Sequence, residues 1–316
     1  MDAHLPVHRS SRASAAFTLI ELMVSIAVLG LLGGMVMQLL GSASRLTSNS
    51  RKTGDCDTEA RFVLDQISAD LSRRVRRPDV DAFVGKLKGD DLLYFFGETP
   101  GYSPTLTAQE RSTISLVGYR LKAPTEEGGH YALQRYARAL PWASTTKDIA
   151  MPFVVLTGTP SKPLPATTLS GSSGTGAGGS FPKVLSQDKA EDVYYQTIGE
   201  NIVRFEISLL RKPNFSNPAK PVPARLLSDA EVPAELAQYG FSNISALIVT
   251  IGVVDAQSSL RVSASAINSL ELSDTMPAGF PLYPLDQWNK VFLGKLNSLP
   301  KTLSGGLRFY QRAIQM

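Results

Sequence analysis

The stretch AAFTLIELMVSIAVLGLLGGMVMQLLG, residues 15–41, is almost unbroken hydrocarbon and carries a single charged side chain, Glu21. As a helix rising ~1.5 Å per residue, the run from Phe17 to Leu40 spans roughly 36 Å, enough to cross a bilayer with some tilt. The apolar region of a secretory signal is only ~7–15 residues, so the run reads as a membrane-spanning helix. His4, His8, Arg9 and Arg12 precede it. The positive-inside bias then keeps residues 1–16 cytoplasmic and carries everything after about Ser42 across the membrane.

Glu21 separates a plain anchor from something more specific. An acidic residue at the centre of a membrane helix costs roughly 2.5–3.5 kcal/mol on insertion scales and calls for a partner. No Lys or Arg lies between Phe17 and Leu40, so the partner is expected from elsewhere. A cut between Ala16 and Phe17 would create an α-amino group, with an ordinary pKa of ~7.7–8, four residues before Glu21. Residues four apart share a helix face, so the carboxylate could meet the ammonium of its own chain or of a neighbouring copy. Gly30 and Gly34 form a G-x-x-x-G pair with Ala27 and Gly33 close by, a pattern that lets another helix approach closely; ordinary membrane-helix glycine is the equal alternative.

The segment AFTLIELMVSIAVLGLL resembles the N-terminal processing and methylation motif of type IV prepilins and type II secretion pseudopilins: a short basic leader, a small residue, Phe, TLIEL and an apolar helix. The resemblance implies that a prepilin peptidase/methyltransferase cuts after Ala16 and N-methylates Phe17. It implies too that Glu21 registers each subunit on its filament. Ala16 is a departure, because the family normally has Gly before the cut.

Composition excludes several other chemistries. Among 316 residues there is one cysteine, Cys56, so neither an intrachain disulfide nor a cysteine-based zinc site is available. After a leader is removed, His130 is the one histidine left, and no G-x-S-x-G accompanies it. The net charge of +4 is spread along the chain rather than concentrated in a polybasic domain. GTGAGG, in the Gly/Ser/Pro-rich stretch 157–182, lacks the Lys-Ser/Thr ending of a phosphate-binding loop. That stretch is expected to be a flexible loop. Asp55, Asp57 and Glu59 alternate like calcium ligands but lack the Gly and terminal Glu of a calcium loop, and read as a solvated linker.

Beyond Gly41, Ala60, Leu64, Ile67, Leu71 and Val75 recur at helical spacing. They predict an amphipathic helix ended by Pro78, with Arg73, Arg74, Arg76 and Arg77 in its last turns as a solvated cationic face. The segments DLLYFFG, STISLVGYRLK, HYALQRYAR, PFVVLTG, NIVRFEISLLRK and ISALIVTIGVVDA read as strands, the second and third as a hairpin around APTEEGG. Tyr94, Phe95 and Phe96 read as core strand residues.

The expected architecture is α+β and pilin-like, a long N-terminal helix packed on a mainly antiparallel sheet. It divides into a leader at 1–16, a transmembrane helix at 17–41, an amphipathic extension at 42–78 and a β-rich domain at 79–316. The order of segments is similar to that of J-type minor pseudopilins of type II secretion and of PilW-like minor pilins. With its ending GLRFYQRAIQM it also resembles the prepilin-like Verru_Chthon cassette protein C. These resemblances imply a structural filament subunit of the inner membrane without catalytic residues, metal or cofactor. The implied partners are the processing enzyme, other pilin or pseudopilin subunits and membrane lipid, with no nucleic acid. The rivals are a single-pass anchored enzyme or sensor, and an anchored adhesin or binding protein outside any filament.

Overall fold

The structure is a computed structural model, and it describes residues 18–76, 82–86, 91–104, 106–123, 131–141, 189–214, 223–259, 267, 284–297 and 299–316. The strand expected at 152–158, His130 and the loop at 157–182 lie outside these residues. The chain divides into two compact units, Met1–Arg51 and Lys52–Met316.

Helix α1 covers Leu19–Ser72 without interruption. No proline occurs in it, and Gly30, Gly33, Gly34, Gly41 and Gly54 do not break it. Four of its hydroxyl side chains bond back into the helix: Ser25 donates to the Glu21 carbonyl at 2.7 Å, and Ser42, Thr47 and Thr58 each donate to the carbonyl four residues back. The helix ends at Ser72, earlier than the sequence pattern suggests. Arg73 is a turn, Arg74 bridges Gly97, and Val75 donates its N–H to Phe96 O at 2.8 Å. The last carbonyls are met by the Ser72 hydroxyl on Ala69 O and by the Arg74 guanidinium on Leu71 O. The arginines therefore do not form one solvated helical face, because Arg74 is buried.

In the second unit, two antiparallel sheets carry the core. The first has the order β1-β2-β3-β4-β5, from β1 (Ala82–Gly85), β2 (Leu92–Gly97), β3 (Arg111–Lys122), β4 (Ala132–Pro141) and β5 (Tyr195–Gly199), with a 3-10 helix at Lys189–Tyr194 leading into β5. The second has the order β7-β6-β8-β9, from β6 (Ile202–Arg211), β7 (Arg225–Leu226), β8 (Ile244–Val254) and β9 (Leu307–Gln315). Helix α2 (Val232–Tyr239) lies between β7 and β8, while α3 (Pro284–Lys295) and α4 (Lys301–Gly306) precede β9.

The period-two side-chain alternation of strands explains how the first sheet buries both faces. Leu93 and Phe95 of β2, Val117, Tyr119 and Leu121 of β3 and Leu133 of β4 pack with the α1 residues Ala60, Val63, Leu64, Ile67 and Leu71. Their neighbours Tyr94, Phe96, Leu116, Tyr136 and Leu140 form a separate cluster on the opposite face. Phe205, Ile207 and Leu209 of β6 and Leu247, Val249, Ile251 and Val253 of β8 join the helix-facing core. Burying each large apolar side chain contributes about 1.5–3 kcal/mol relative to leaving it exposed.

One glycine has a specific reason. Tyr94, Gly118, Tyr136 and Tyr195 lie in one row across β2, β3, β4 and β5. A Cβ at Gly118 would overlap the Tyr94 ring. Its absence lets that ring lean toward Tyr136, with centroids 5.9 Å apart and edge-on, and lets the Tyr94 hydroxyl pair with the Tyr195 hydroxyl at 2.6 Å.

The helix is also fixed to the strands by charge. Asp70, 2% exposed, receives Arg135 Nε at 2.5 Å and Arg135 Nη2 at 3.1 Å, and the Tyr119 hydroxyl at 2.5 Å. Tyr119 and Arg135 are directly opposite each other on β3 and β4, so one carboxylate grips two strands. Asp55, Asp57 and Glu59, expected in a solvated linker, are instead on α1, and two of them dock it. Asp57 accepts from the Tyr310 hydroxyl at 2.5 Å, and Glu59 accepts from the Asn201 N–H and amide, both at 2.9 Å. Arg312 pairs with Asp65.

Two outcomes follow for the full chain in detergent. Asp70→Asn leaves the Arg135 guanidinium without its counter-charge and should cost about 3–5 kcal/mol; denaturant unfolding measures it, and the double variant Asp70→Asn/Arg135→Met should recover part of the loss. Burial, with the nearby Asp255 and Glu59 carboxylates, pushes the Cys56 thiol up to about 11. It should therefore resist alkylation near pH 8 until the fold is opened by denaturant. An unfolded thiol releases its proton near pH ~8.5. The folded state binds that proton more tightly, so this contribution to stability is whole below that pH and is lost as pH rises toward the folded value.

Candidate functional site

The start of α1 is built by a reciprocal hydrogen-bond box. Thr18 precedes the helix, and its N–H and its hydroxyl both donate to Glu21 Oε2 at 3.0 Å, while the Glu21 N–H points back to Thr18 Oγ1 at 3.3 Å. This is the S/T-x-x-E capping box, in which two N–H groups left over at a helix start are satisfied by side chains. Thr18 thus gives Glu21 two neutral donors from its own segment, beside the cationic partner that the sequence calls for. The signal was present in TLIE itself, as a threonine three residues before a glutamate at the head of an apolar run. The same chemistry recurs at Thr107 with Glu110 and at Ser228 with Glu231, where N–H and hydroxyl again converge on one carboxylate oxygen. At Glu231 the carboxyl is held well below its usual range, to about 2, mainly by the Arg225 guanidinium and then by Ser228.

Both Thr18 bonds use Oε2, and Glu21 Oε1 accepts no hydrogen bond among the described residues. One oxygen is therefore engaged in shaping the helix while the other remains able to accept a further donor. Ala16 and Phe17, the residues of the expected cut and methylation, lie outside the described residues.

Downstream of the box, the apolar side chains from Leu19 to Leu40 are exposed, from 52% at Val28 to 77% at Leu19. The segment is long and apolar enough to cross a membrane, and from Leu19 to Leu40 it rises roughly 33 Å at ~1.5 Å per residue. Gly30, Gly33 and Gly34 have nothing within 4 Å of the position a Cβ would take. They open the helix surface to close approach and also leave the backbone free of any local packing reason for glycine. Among the described residues no group of three or more His, Cys, Asp or Glu is placed to hold a metal ion.

A second charged site escaped the sequence reading. Lys86, after β1, sends Nζ to Asp91 Oδ2 at 2.5 Å, Glu206 Oε1 at 2.6 Å, Ile207 O at 2.8 Å and Asp229 Oδ1 at 3.4 Å. The available signal was Glu206 itself, a lone carboxylate inside the apolar run IVRFEISLL.

Residues 11–37 match the family model described as the prokaryotic N-terminal methylation motif. No curated protein and no solved structure matches the chain. The matched segment contains Thr18, Glu21, Gly30 and Gly34, so the capping box and the open glycine face are both parts of the motif. The chain carries the N-terminal methylation motif of the type IV prepilin/pseudopilin-like family at the head of a helix able to anchor it in a membrane, which marks it as a type IV pilin-like substrate of prepilin peptidase.

Proposed function

We propose that this protein is a minor pilin or pseudopilin-like subunit. Prepilin peptidase/methyltransferase processes it between Ala16 and Phe17, and its N-terminal helix then carries it from the inner membrane into a type II secretion pseudopilus or type IV pilus-like filament. Its N-terminus is cytoplasmic and its β-rich region periplasmic or extracellular. It contributes structure and recognition, not catalysis. The observation that carries this reading is the methylation motif on a helix that continues into the core-forming residues of Lys52–Met316. Charge placement supports it: Glu21 keeps Oε1 available next to the site where processing would create an α-amino group. Tyr94, Phe95 and Phe96 are each 1% exposed, so they present no aromatic patch for the rival adhesin reading.

N-terminal peptide mass spectrometry of the protein from cells with an active prepilin peptidase should give methylated Phe17 as the first residue. Native protein that retains Met1 to Ala16 would defeat the proposal. The capping box also makes the Glu21 test more discriminating. Gln can serve the third position of such a box, so Glu21→Gln removes the charge and keeps the helix start, whereas Glu21→Val removes both. Both variants should insert into the membrane, since each removes an unfavourable charge. Both should fail to co-purify with filament partners, because a buried ammonium left without its counter-charge costs about 3–5 kcal/mol. Normal incorporation of Glu21→Gln with loss of Glu21→Val would show that the helix cap, and not charge pairing, is what assembly needs.

A further inference from the structure

The site around Lys86 joins the two sheets in an unusual way. β6 pairs with β8 along one side, while on the other side β7 meets Leu210 and Arg211, with the Leu227 N–H donating to Leu209 O just beyond. Three polar groups on the open stretch of its other side are met by two residues of the first sheet's margin. Asp91 N–H donates to Phe205 O at 3.0 Å, the Ile207 N–H donates to Asp91 Oδ2 at 2.7 Å, and Lys86 Nζ donates to Ile207 O. The side chains are 0% exposed at Asp91, 3% at Glu206 and 10% at Lys86. Among the described residues the fully buried Asp91 Oδ1 has no hydrogen-bond partner.

We propose that Lys86 and Asp91 condense to an intramolecular amide, with Glu206 as the base that takes the lysine proton. An amine against a carboxyl is ordinarily an ion pair and nothing more, because the ammonium is not a nucleophile and the carboxylate is not an electrophile. Four features of this site work against both obstacles. Glu206 Oε1 stands 2.6 Å from Nζ, within reach of its proton. Burial pushes the Asp91 carboxyl up, to about 6, against the pull of the Lys86 ammonium, so the neutral acid is accessible. The Ile207 N–H already sits on Oδ2, where negative charge would develop when Nζ adds to Cγ. Oδ1, without a partner, is free to leave as water, and the dry surroundings oppose the return of water. Lys86 is the harder obstacle: burial alone would lower its ammonium, but Asp91, Glu206 and Asp229 outweigh burial and raise it. The proton acceptor is therefore indispensable.

The step balances. Lys86 –NH3+ gives one proton to the Glu206 carboxylate; the amine adds to Cγ of the protonated Asp91 carboxyl, forming the C–N bond. The second proton on nitrogen passes to the Oδ1 hydroxyl, the C–O bond breaks, and water leaves. No electrons are exchanged and no co-reactant is needed. The product is a neutral amide whose oxygen keeps the Ile207 N–H, beside a Glu206 that has become neutral.

The test is intact-mass spectrometry of the full chain purified in detergent, followed by tryptic mapping. Lys88 lies between the two residues, so trypsin cuts the backbone there while the amide leaves the two pieces joined. The expected result is a wild-type mass lower by one water, with a branched peptide mapped to Lys86 and Asp91. Lys86→Arg, which keeps the positive charge, and Glu206→Gln, which removes the base, should both have the full mass of their sequences; circular dichroism shows whether each is folded. A wild-type protein at full mass, water loss that persists in Lys86→Arg, or an amide mapped to Glu206 would each overturn the proposal. None of these masses depends on processing or filament assembly.

Discussion

A carboxylate buried on a helix has to be matched by donors from whatever the helix packs against, and Asp70 meets this requirement with an unusual economy. Tyr119 and Arg135 are cross-strand neighbours, so their side chains emerge on one face of the first sheet at adjacent positions. Both converge on Asp70, in the last turn of α1. Hydrophobic contact through Ile67 and Leu71 is non-directional and would tolerate sliding or rotation of the helix. The bidentate guanidinium and the phenol hydroxyl do not, because each bond is lost within a fraction of an ångström. Asp70 thus sets the register of the helix on β3 and β4, and Glu59 on Asn201 and Asp57 on Tyr310 hold the same register roughly three to four turns earlier in α1.

That register also explains where the helix stops. With Asp70 held against the sheet, continuing the helix would take Arg74 away from Gly97 and forfeit the backbone bonds from Val75 to Phe96 and from Glu98 to Arg73. The chain instead leaves the helix at Ser72 and runs alongside β2. A pattern of apolar residues through Val75 therefore overstated the helix: Val75 packs against the far-face cluster that contains Tyr94 and Phe96, not against the helix-facing core.

The parts of the fold that were legible in sequence share a physical feature: long segments whose burial is uniform enough to be read without partners. The membrane run is one. The strands β2, β3, β6 and β8 are others, because β-branched and aromatic residues recur along them, whereas β4, ALQRYARALP, has only Tyr136 of that kind and was legible as the partner of β3 across APTEEGG. β1, β5 and β7 are at most five residues long, too short to carry a period. β9 places Arg308 and Arg312 among its apolar residues, which masks it. The acidic trio at Asp55, Asp57 and Glu59 was misleading for a different reason. Its role depends on Tyr310 and Asn201, which lie far along the chain, and no local pattern encodes such a partner.

Glu21 and Glu206 look alike in sequence, each a lone acid in hydrocarbon, yet the two settings solve the same electrostatic problem differently. Glu206, in the uncondensed state, has the Lys86 ammonium inside its own domain at 2.6 Å, a proton donor and counter-charge in one. Glu21 has no cation in its segment; its own threonine provides two neutral donors to a single oxygen. Neutral hydrogen bonds lower the cost of a carboxylate in an apolar setting without cancelling its charge. Among the described residues Glu21 is therefore a shaped and partly satisfied anion with no cation against it. A residue in that condition favours whichever neighbour brings a positive group to Oε1, because a charged donor bonds a carboxylate more strongly than a neutral one.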